Sequence, residues 1–403
     1  MNDARKRIAM VGYTFYASDE RLKRHVANLL DAGYAVDVVT LIDPRGARET
    51  DEEHVSFFLP MARHFERQGK VRMFLEYARF TVLAGLILLR NHLFRNSYAL
   101  IHINNMPNFI LFGALPLRLL GVPVLLDVHD TMPEIYQNKA GVPERHWMIR
   151  ALFVEERVCM KLASFVITTE HTKWERLLEN GLRKEKSAVT LNLADPSLFP
   201  RFDIPDGPVP AKPHFRLVYH GTLTHRLGMD IAIRAVALAR SRIPHIRLEI
   251  TGDGEQRPEL LALTQELGIQ DAVHFSDGFV PTEELTELLK GADLAVVPSR
   301  NNIATSLMLP VKLLEYVQLG IPVVTVATPT ITRYFTEGMV HFVPPENPEA
   351  LADKIVYLYE RPELRLETAR KARTFFERHN FETERDTYRA VVRRLLKEPS
   401  DSQ

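Results

Sequence analysis

The chain reads as an α/β protein of two consecutive doubly wound domains. From residue 7 to 191, short apolar and β-branched runs alternate with helix-length amphipathic segments, the pattern of a parallel sheet covered on both faces. Residues 195–213, "DPSLFPRFDIPDGPVPAKP", carry six prolines, which neither a helix nor a central strand tolerates. The alternation then restarts and ends in a helical tail from about residue 347. At 403 residues the chain has room for two or three domains, at ~150 residues each.

Taken in order, the first half offers strands at "RIAMVG", "AVDVVTL", "ALIHI", "VPVLLDVHD", "SFVITT" and "SAVTL", with helices over 19–32, 70–94, 106–119, 145–162 and 170–180. The second half offers "FRLVYHG", "IRLEITG", "AVHFS", "ADLAVVPS" and "IPVVTV", with helices over 229–241, 255–267, 282–290 and 310–319. The domains are therefore expected at 1–194 and 214–381, with 195–213 as a linker.

Hydrophobic residues make up 46% of the chain, charged residues 25%, and the formal charge is +0. That describes a globular protein without the basic balance of a nucleic-acid binder. The single cysteine, Cys159, excludes an internal disulfide and a Cys-cluster zinc site, and fits a reducing compartment. The start, "MNDARKRIAMVGYTF", has an apolar run too short for a signal-peptide core and no small-residue cleavage site. It reads as a first strand, and a cytoplasmic protein is expected.

In open α/β sheets ligands sit beyond the carboxyl ends of the strands, so the loops after the strands carry the chemistry. After "FRLVYHG", Thr222 to Gly228 delivers Arg226 to the start of the next helix, where a guanidinium fork and the helix terminus both favour a diphosphate; the alternative is a surface arginine in a tight turn. After "IRLEITG", Gly252 and Gly254 permit close backbone approach, or mark only a strand-to-helix turn. After "ADLAVVPS", Pro310 suits the first position of a helix, with Val311 behind it. Glu315 lies in the second turn of that helix, among leucines, where an unpaired carboxylate is costly. Helical side chains lean toward the N-terminus, so its carboxylate can reach the ligand edge and accept from a ribose diol, with Lys312 and the first-turn amides on phosphate. The alternative is an i,i+3 surface pair between Lys312 and Glu315.

The series "YHGTLTHRLGMDIAIRA", "LEITGDGEQRPEL", "VHFSDGFVPTEELTELLKGADLAVVPS" and "LPVKLLEYVQLGIPVV" resembles the donor domain of retaining glycosyltransferases of family 4, with the glycosyltransferase-B (GT-B) fold. The first half is similar in "SDERLKRHVANLLDAGYAVDVVT", "HINNMPNFILFGALPLRLLGVPVLLDVHDTMPEIY" and "SFVITTEHTKWERLL". The resemblance implies two Rossmann-like domains facing a cleft, with a final helix over about 382–403 returning to the first. It puts the ribose-binding glutamate on Glu315, phosphate-binding cations near Arg226 and Lys312, the diphosphate-facing turn on Gly221 and Thr222, and the nucleobase segment on "DGF", ending at Phe279. It also puts on His129 the histidine that reaches the donor sugar. The family's second glutamate, eight residues before the first, is Leu307 here. That leaves Asn301, Asn302, Thr305 and Ser306 as local candidates for holding the sugar.

His129 and Asp130 end a strand and so emerge at the ligand edge, with Glu134 a helical step farther on. Without the resemblance they also read as a helix cap, with Asp130 as the capping residue. Tyr13, after the first strand, is a further candidate contact for sugar or acceptor. No Ser-His-Asp order and no metal-spaced histidine pair stands out among the 15 histidines. The implied reaction moves a sugar, with its anomeric configuration retained, from a nucleotide-diphosphate sugar to a hydroxyl of a glycan or lipid-linked acceptor. No metal and no cofactor beyond the donor is implied, with Arg226, Lys312 and His129 as the catalytic groups. Two rivals are a nucleotide-sugar epimerase or hydrolase on the same fold, and a two-lobed solute-binding protein, which lacks a reason for Glu315 and Lys312.

Residues 61–95 combine Arg63, Arg67, Lys70, Arg72, Arg79, Arg90 and Arg95 with the apolar centre "VLAGLILL", short of the ~20 apolar residues that span a bilayer. The expectation is that 61–79 touches an anionic membrane, at the inner face of the plasma membrane, while 80–95 packs inside. The alternative is a core helix with a charged outer face.

Overall fold

A computed structural model describes residues 5–44, 53–63, 70–205 and 212–399. Its contacts divide the chain into two compact units, Met1–Asn192 with Glu382–Gln403, and Leu193–Phe381.

In the first unit the strands are β1 (Arg7–Gly12), β2 (Ala35–Val39), β3 (Val55–Phe58), β4 (Tyr98–Asn104), β5 (Val124–Val128), β6 (Phe165–Thr168) and β7 (Ser187–Val189). They form one sheet in the order β3-β2-β1-β4-β5-β6-β7, parallel throughout. The helices are α1 (Glu20–Asp31), α2 (Lys70–Phe94), α3 (Leu111–Leu119), α4 (Met132–Ala140), α5 (Trp147–Leu162) and α6 (His171–Glu179). Along β1, Ile8 and Met10 enter one apolar cluster while Ala9 and Val11 enter another, so both sheet faces are buried, which is why the strands read as continuous apolar runs. The short strand β3 and the helix α4 escape the sequence reading. β3 is only four residues long, and α4 carries Pro133 inside a stretch without clean periodicity.

The second unit has β8 (Phe215–His220), β9 (Ile246–Thr251), β10 (Val273–Phe275), β11 (Leu294–Val297), β12 (Val323–Val326) and β13 (His341–Val343). They form a parallel sheet in the order β10-β9-β8-β11-β12-β13. Its helices are α7 (Met229–Ala239), α8 (Arg257–Glu266), α9 (Thr282–Leu289), α10 (Val311–Leu319), α11 (Pro329–Tyr334), α12 (Pro348–Tyr359), α13 (Pro362–Ala372) and α14 (Phe375–Arg378). In each sheet the strand order reverses once, between β1 and β4 and between β8 and β11. Such reversals leave a crevice at the carboxyl edge where ligands enter. The described part of the proline-rich stretch does not hang free. Phe202 N–H donates to Leu319 O at 3.1 Å, and Leu198 O accepts from Thr286 at 2.8 Å; residues 206–211 lie outside the described residues.

The last helix, α15 (Phe381–Leu396), packs on the first unit, with Tyr388, Val391 and Val392 buried in the cluster of Ile8 and Met10. Polar contacts fix it. Tyr388 Oη lies 3.0 Å from His102 Nδ1, its ring stacks on His25 at 4.2 Å, and Asp127 beside them takes both nitrogens of an Arg21 fork at 2.7 and 2.9 Å. Burial pushes His102 down to about 4 and lowers His25 as well, so both stay neutral. Burial alone would raise Asp127, but Arg21 holds it well below the usual carboxylate range. Tyr388→Ala is expected to cost about 3–5 kcal/mol of the first unit's stability by denaturant titration. Tyr388→Phe, which loses only the hydroxyl, should cost about 0.5–1.5 kcal/mol.

Candidate functional site

In the second unit the loops after β8, β9 and β11 meet where the strand order reverses. Gly221, directly after β8, has φ +116°, and a Cβ there would stand 3.0 Å from Lys312 Nζ. Gly252, after β9, has φ +141°, and its Cβ would fall 2.1 Å from Gly221 O. Side chains are excluded at both positions, so two backbones lie against each other. Gly254 approaches Leu223 O in the same way, a Cβ there standing 2.3 Å away. Arg257, at the start of α8, fastens the arrangement by donating to Gly252 O at 3.0 Å and Ser276 O at 2.6 Å.

Lys312, in the first turn of α10, reaches this floor. Its Nζ donates to Tyr219 Oη at 2.6 Å and lies 3.9 Å from the centre of that ring. Burial pushes the ammonium down to about 7; Glu315 opposes the shift and Arg226 adds to it. Arg226 stands in a single turn, His225–Leu227, ahead of α7, and its guanidinium has no hydrogen-bond partner among the described residues. Its backbone is held by Arg300, whose N–H donates to Arg226 O at 2.9 Å while its side chain bonds His225 O at 2.6 Å and both oxygens of Asp230 at 2.9 and 2.7 Å.

Glu315 does not pair with Lys312 among the described residues, which removes the surface-pair alternative. Its Oε2 lies 2.5 Å from Nε2 of His220, the last residue of β8. His220 is held in turn by Tyr316, whose hydroxyl accepts from its backbone N–H at 2.8 Å. The carboxylate is half-buried with one oxygen tied to an imidazole, so the other can accept from a ligand. Pro310 is the residue capping α10, not its first member, because Val311 begins the helix.

The remaining donor-side candidates separate. Thr222, Phe279 and Asn301 are exposed, Phe279 by 62%. Ser306 spends its hydroxyl on Ile303 O at 2.9 Å. Asn302 and Thr305 are corrected to loop-building roles. Asn302 Oδ1 accepts from Ala304 and Thr305 N–H at 3.0 and 3.1 Å, and the Thr305 hydroxyl, on a side chain 2% exposed, bonds Arg300 O.

In the first unit, His129 and Asp130 follow β5 and are fixed through their backbones. Asn105 Oδ1 accepts from His129 N–H at 3.1 Å, Asn105 Nδ2 donates to Asp130 O at 2.6 Å, and Lys173 Nζ bonds His129 O. The buried Nδ1 of His129 has no partner. Thr131, not Asp130, caps α4, so the capping alternative for Asp130 falls. Glu134 is corrected too. It is 3% exposed and ion-paired to Arg176, which also holds Glu156. Tyr13 stands edge-on to Tyr77 at 4.6 Å, and burial followed by a hydrogen bond to Glu76 raises its hydroxyl. His25, His102 and Asp127 bring candidate metal-ligand atoms within 4.8 Å of one another, a grouping the sequence spacing did not suggest. Arg21 already occupies both Asp127 oxygens, and the set works as the ion pair that seats α15.

Residues 19–192 match the glycosyl transferase 4-like domain, and residues 202–375 match glycosyl transferases group 1. The two halves of the chain match glycosyltransferase domain families, and the chain has the GT-B fold. The chain is 27% identical over 213 residues to 2-deoxystreptamine glucosyltransferase of Streptomyces kanamyceticus, covering 49% of this chain and 52% of that one. It spans about half to two thirds of the length of the first curated relatives it matches. In fold it is similar to sucrose-phosphate synthase from Thermosynechococcus elongatus, with a TM-score of 0.74 at 19% identity over 98% of this chain and 100% of that one. It is also similar to HepE of Anabaena, solved with UDP-glucose, with a TM-score of 0.71 at 18% identity over 96% and 99%. The solute-binding rival falls with this membership.

The depressed ammonium makes a pH test of the site. A diphosphate anion placed beside Lys312 would restore its proton, so its binding would take up a proton at pH values above about 7, where the empty site has begun to lose it. Affinity is therefore expected to fall as pH rises from 7.5 to 9.5, by up to about tenfold per unit. Calorimetry in buffers of different ionisation enthalpy should report net proton uptake, and Lys312→Met should abolish both effects.

Proposed function

We propose that the protein transfers a sugar, with retention of anomeric configuration, from a nucleotide-diphosphate sugar to a hydroxyl of a glycan or lipid-linked acceptor. The reaction belongs to bacterial polysaccharide or glycoconjugate synthesis and runs in the cytoplasm, at the inner face of the plasma membrane where the acceptor is lipid-linked. The observation that carries the reading is the pair of cations, Arg226 and Lys312, beside the Gly221 turn. Neither is bonded to a carboxylate among the described residues, and Glu315 stands one turn farther along α10.

Each group then has a task. Arg226, Lys312 and the backbone amides at the starts of α7 and α10 hold the diphosphate and stabilise the charge that grows on it as the glycosidic bond breaks. Those cations stand in the place of a metal. Glu315, oriented by His220, accepts from the ribose diol, and the exposed "DGF" segment lies against the base. His129, set by Asn105 and Lys173, hydrogen-bonds the sugar. The acceptor hydroxyl attacks from the face that the diphosphate leaves, and the leaving phosphate takes its proton, so no carboxylate nucleophile is needed.

The test is a thermal-shift screen of UDP, GDP, dTDP and ADP with their sugars, followed by turnover with and without acceptor. A ligand at about 100 times its dissociation constant should stabilise by about 2.7 kcal/mol. Glu315→Gln is expected to weaken the preferred donor about tenfold or more with the fold intact, since charge-assisted bonds to the diol are lost. Arg226→Ala is expected to lower kcat more than it raises KM. Turnover that survives exhaustive chelation is the expected outcome for a metal-free site. Epimerisation or rapid hydrolysis of donor without acceptor would overturn transfer.

A further inference from the structure

The 25-residue helix α2 turns a continuous apolar stripe to solvent. Val71, Leu75, Val82, Leu86 and Leu93 are all exposed large hydrophobics, Val82 by 61% and Leu86 by 59%. With Arg79 and Arg90, they follow each other at steps of four, four and three residues, so they share one helical face. The stripe is about 33 Å long at ~1.5 Å per residue. Phe74 and Phe94 extend it, Phe94 being 80% exposed. The opposite face is the buried one. Phe80, Ala84 and Leu88 lie in the sheet-covering core, and a Cβ on Gly85 would meet Gly113 O of α3 at 2.8 Å. The expectation that 61–79 faces lipid and 80–95 packs inside is thereby corrected: inside and outside are two faces of one helix, and residues 64–69 lie outside the described residues.

We propose that this face lies on a membrane surface rich in anionic lipid. Its charge selects that occupant. Arg72, Arg79 and Arg90 are exposed along or beside the stripe, while the helix has one carboxylate, Glu76, which is hydrogen-bonded to Tyr13. A second copy of the same face supplies no counter-charge, whereas a bilayer supplies both an apolar layer for the leucines and phosphates for the arginines, whose long stems let the guanidinium groups rise to the headgroups. No described helix is long and apolar enough to cross a membrane, so α2 rests on the surface. Its N-terminal end adjoins the ligand edge of the first sheet. Tyr77 packs on Tyr13 after β1, and Phe74 lies 5.7 Å from Phe109 after β4. A hydroxyl carried on a lipid headgroup is thus presented beside the acceptor-side loops. The inference deepens the lipid-linked acceptor reading and rests on it for its purpose, though not for the binding itself.

Flotation of the full chain with vesicles tests it. Recovery is expected with phosphatidylcholine mixed with phosphatidylglycerol at low salt, less recovery at high salt, and little with phosphatidylcholine alone. Arg79→Gln with Arg90→Gln should lower partition about fivefold per arginine and erase the lipid preference. Leu75→Ser with Leu86→Ser should lower it at both salt concentrations. All four positions are exposed, so melting temperatures and thermal shifts with nucleoside diphosphate should be unchanged; loss of those shifts alone would instead count against the donor site. Equal recovery with both vesicle types, no recovery with anionic vesicles at low salt, or a concentration-dependent dimer abolished by Leu86→Ser would overturn the membrane assignment.

Discussion

Lys312 is half-buried beside a second cation, and the nearest carboxylate is bonded elsewhere. Left alone, such an ammonium gives up its proton near neutral pH, and that cost must be offset by the rest of the unit. The surroundings are consistent with a place kept for an anion. Tyr219 offers a hydroxyl and a ring face, neither of which neutralises the charge. Gly221 leaves its side clear toward the ammonium, Gly252 lets its backbone lie against Gly221, and Arg257 and Arg300 fix the two neighbouring loops by bonding their carbonyls. An anion with two phosphates, as proposed, would resolve the imbalance, and cations so placed would act as preorganised electrostatic groups.

The same unit shows why Glu315 sits among leucines. A carboxylate in that position needs a hydrogen-bond donor, and His220 provides one from the neighbouring strand. With one oxygen satisfied, the other remains a directional acceptor. The position is thus stable enough to fold while its second oxygen keeps no protein partner among the described residues and stays open to solvent or a ligand.

The strands were legible because both faces of each sheet are buried, so a run such as "RIAMVG" is apolar at every position. Short or proline-bearing elements such as β3 and α4 were not, since four residues or a weak period give too little signal. Of the candidate site, Arg226, Lys312 and Glu315 could be named from the loops and helix starts that follow strands, and Gly221 from the family resemblance. His220, Tyr219, Arg257 and Arg300 could not, because their roles are contacts with distant or backbone atoms. His220 and Glu315 are 95 positions apart, and the carbonyls that Arg257 and Arg300 bond have no side-chain signature. For the same reason Glu134 and Thr305 looked available: their partners, Arg176 and the Arg300 carbonyl, become neighbours only in the fold.

The two units treat charge in opposite ways. In the first, Arg21 meets Asp127 and Arg176 meets both Glu134 and Glu156, while burial keeps His25 and His102 neutral; its deep charges are compensated and spent on seating α15 and α6. What remains at its ligand edge is polar: His129, with its backbone locked and its buried Nδ1 unpartnered, Asp130 beside it, and the Tyr13 hydroxyl. In the second, Arg226 and Lys312 are bonded to no carboxylate at the ligand edge among the described residues. Under the proposed transfer, polar hydrogen-bonding groups would suit the sugar and acceptor hydroxyls, whereas cations without a bonded carboxylate would suit the leaving diphosphate, and that difference would follow from which charges each unit neutralises internally.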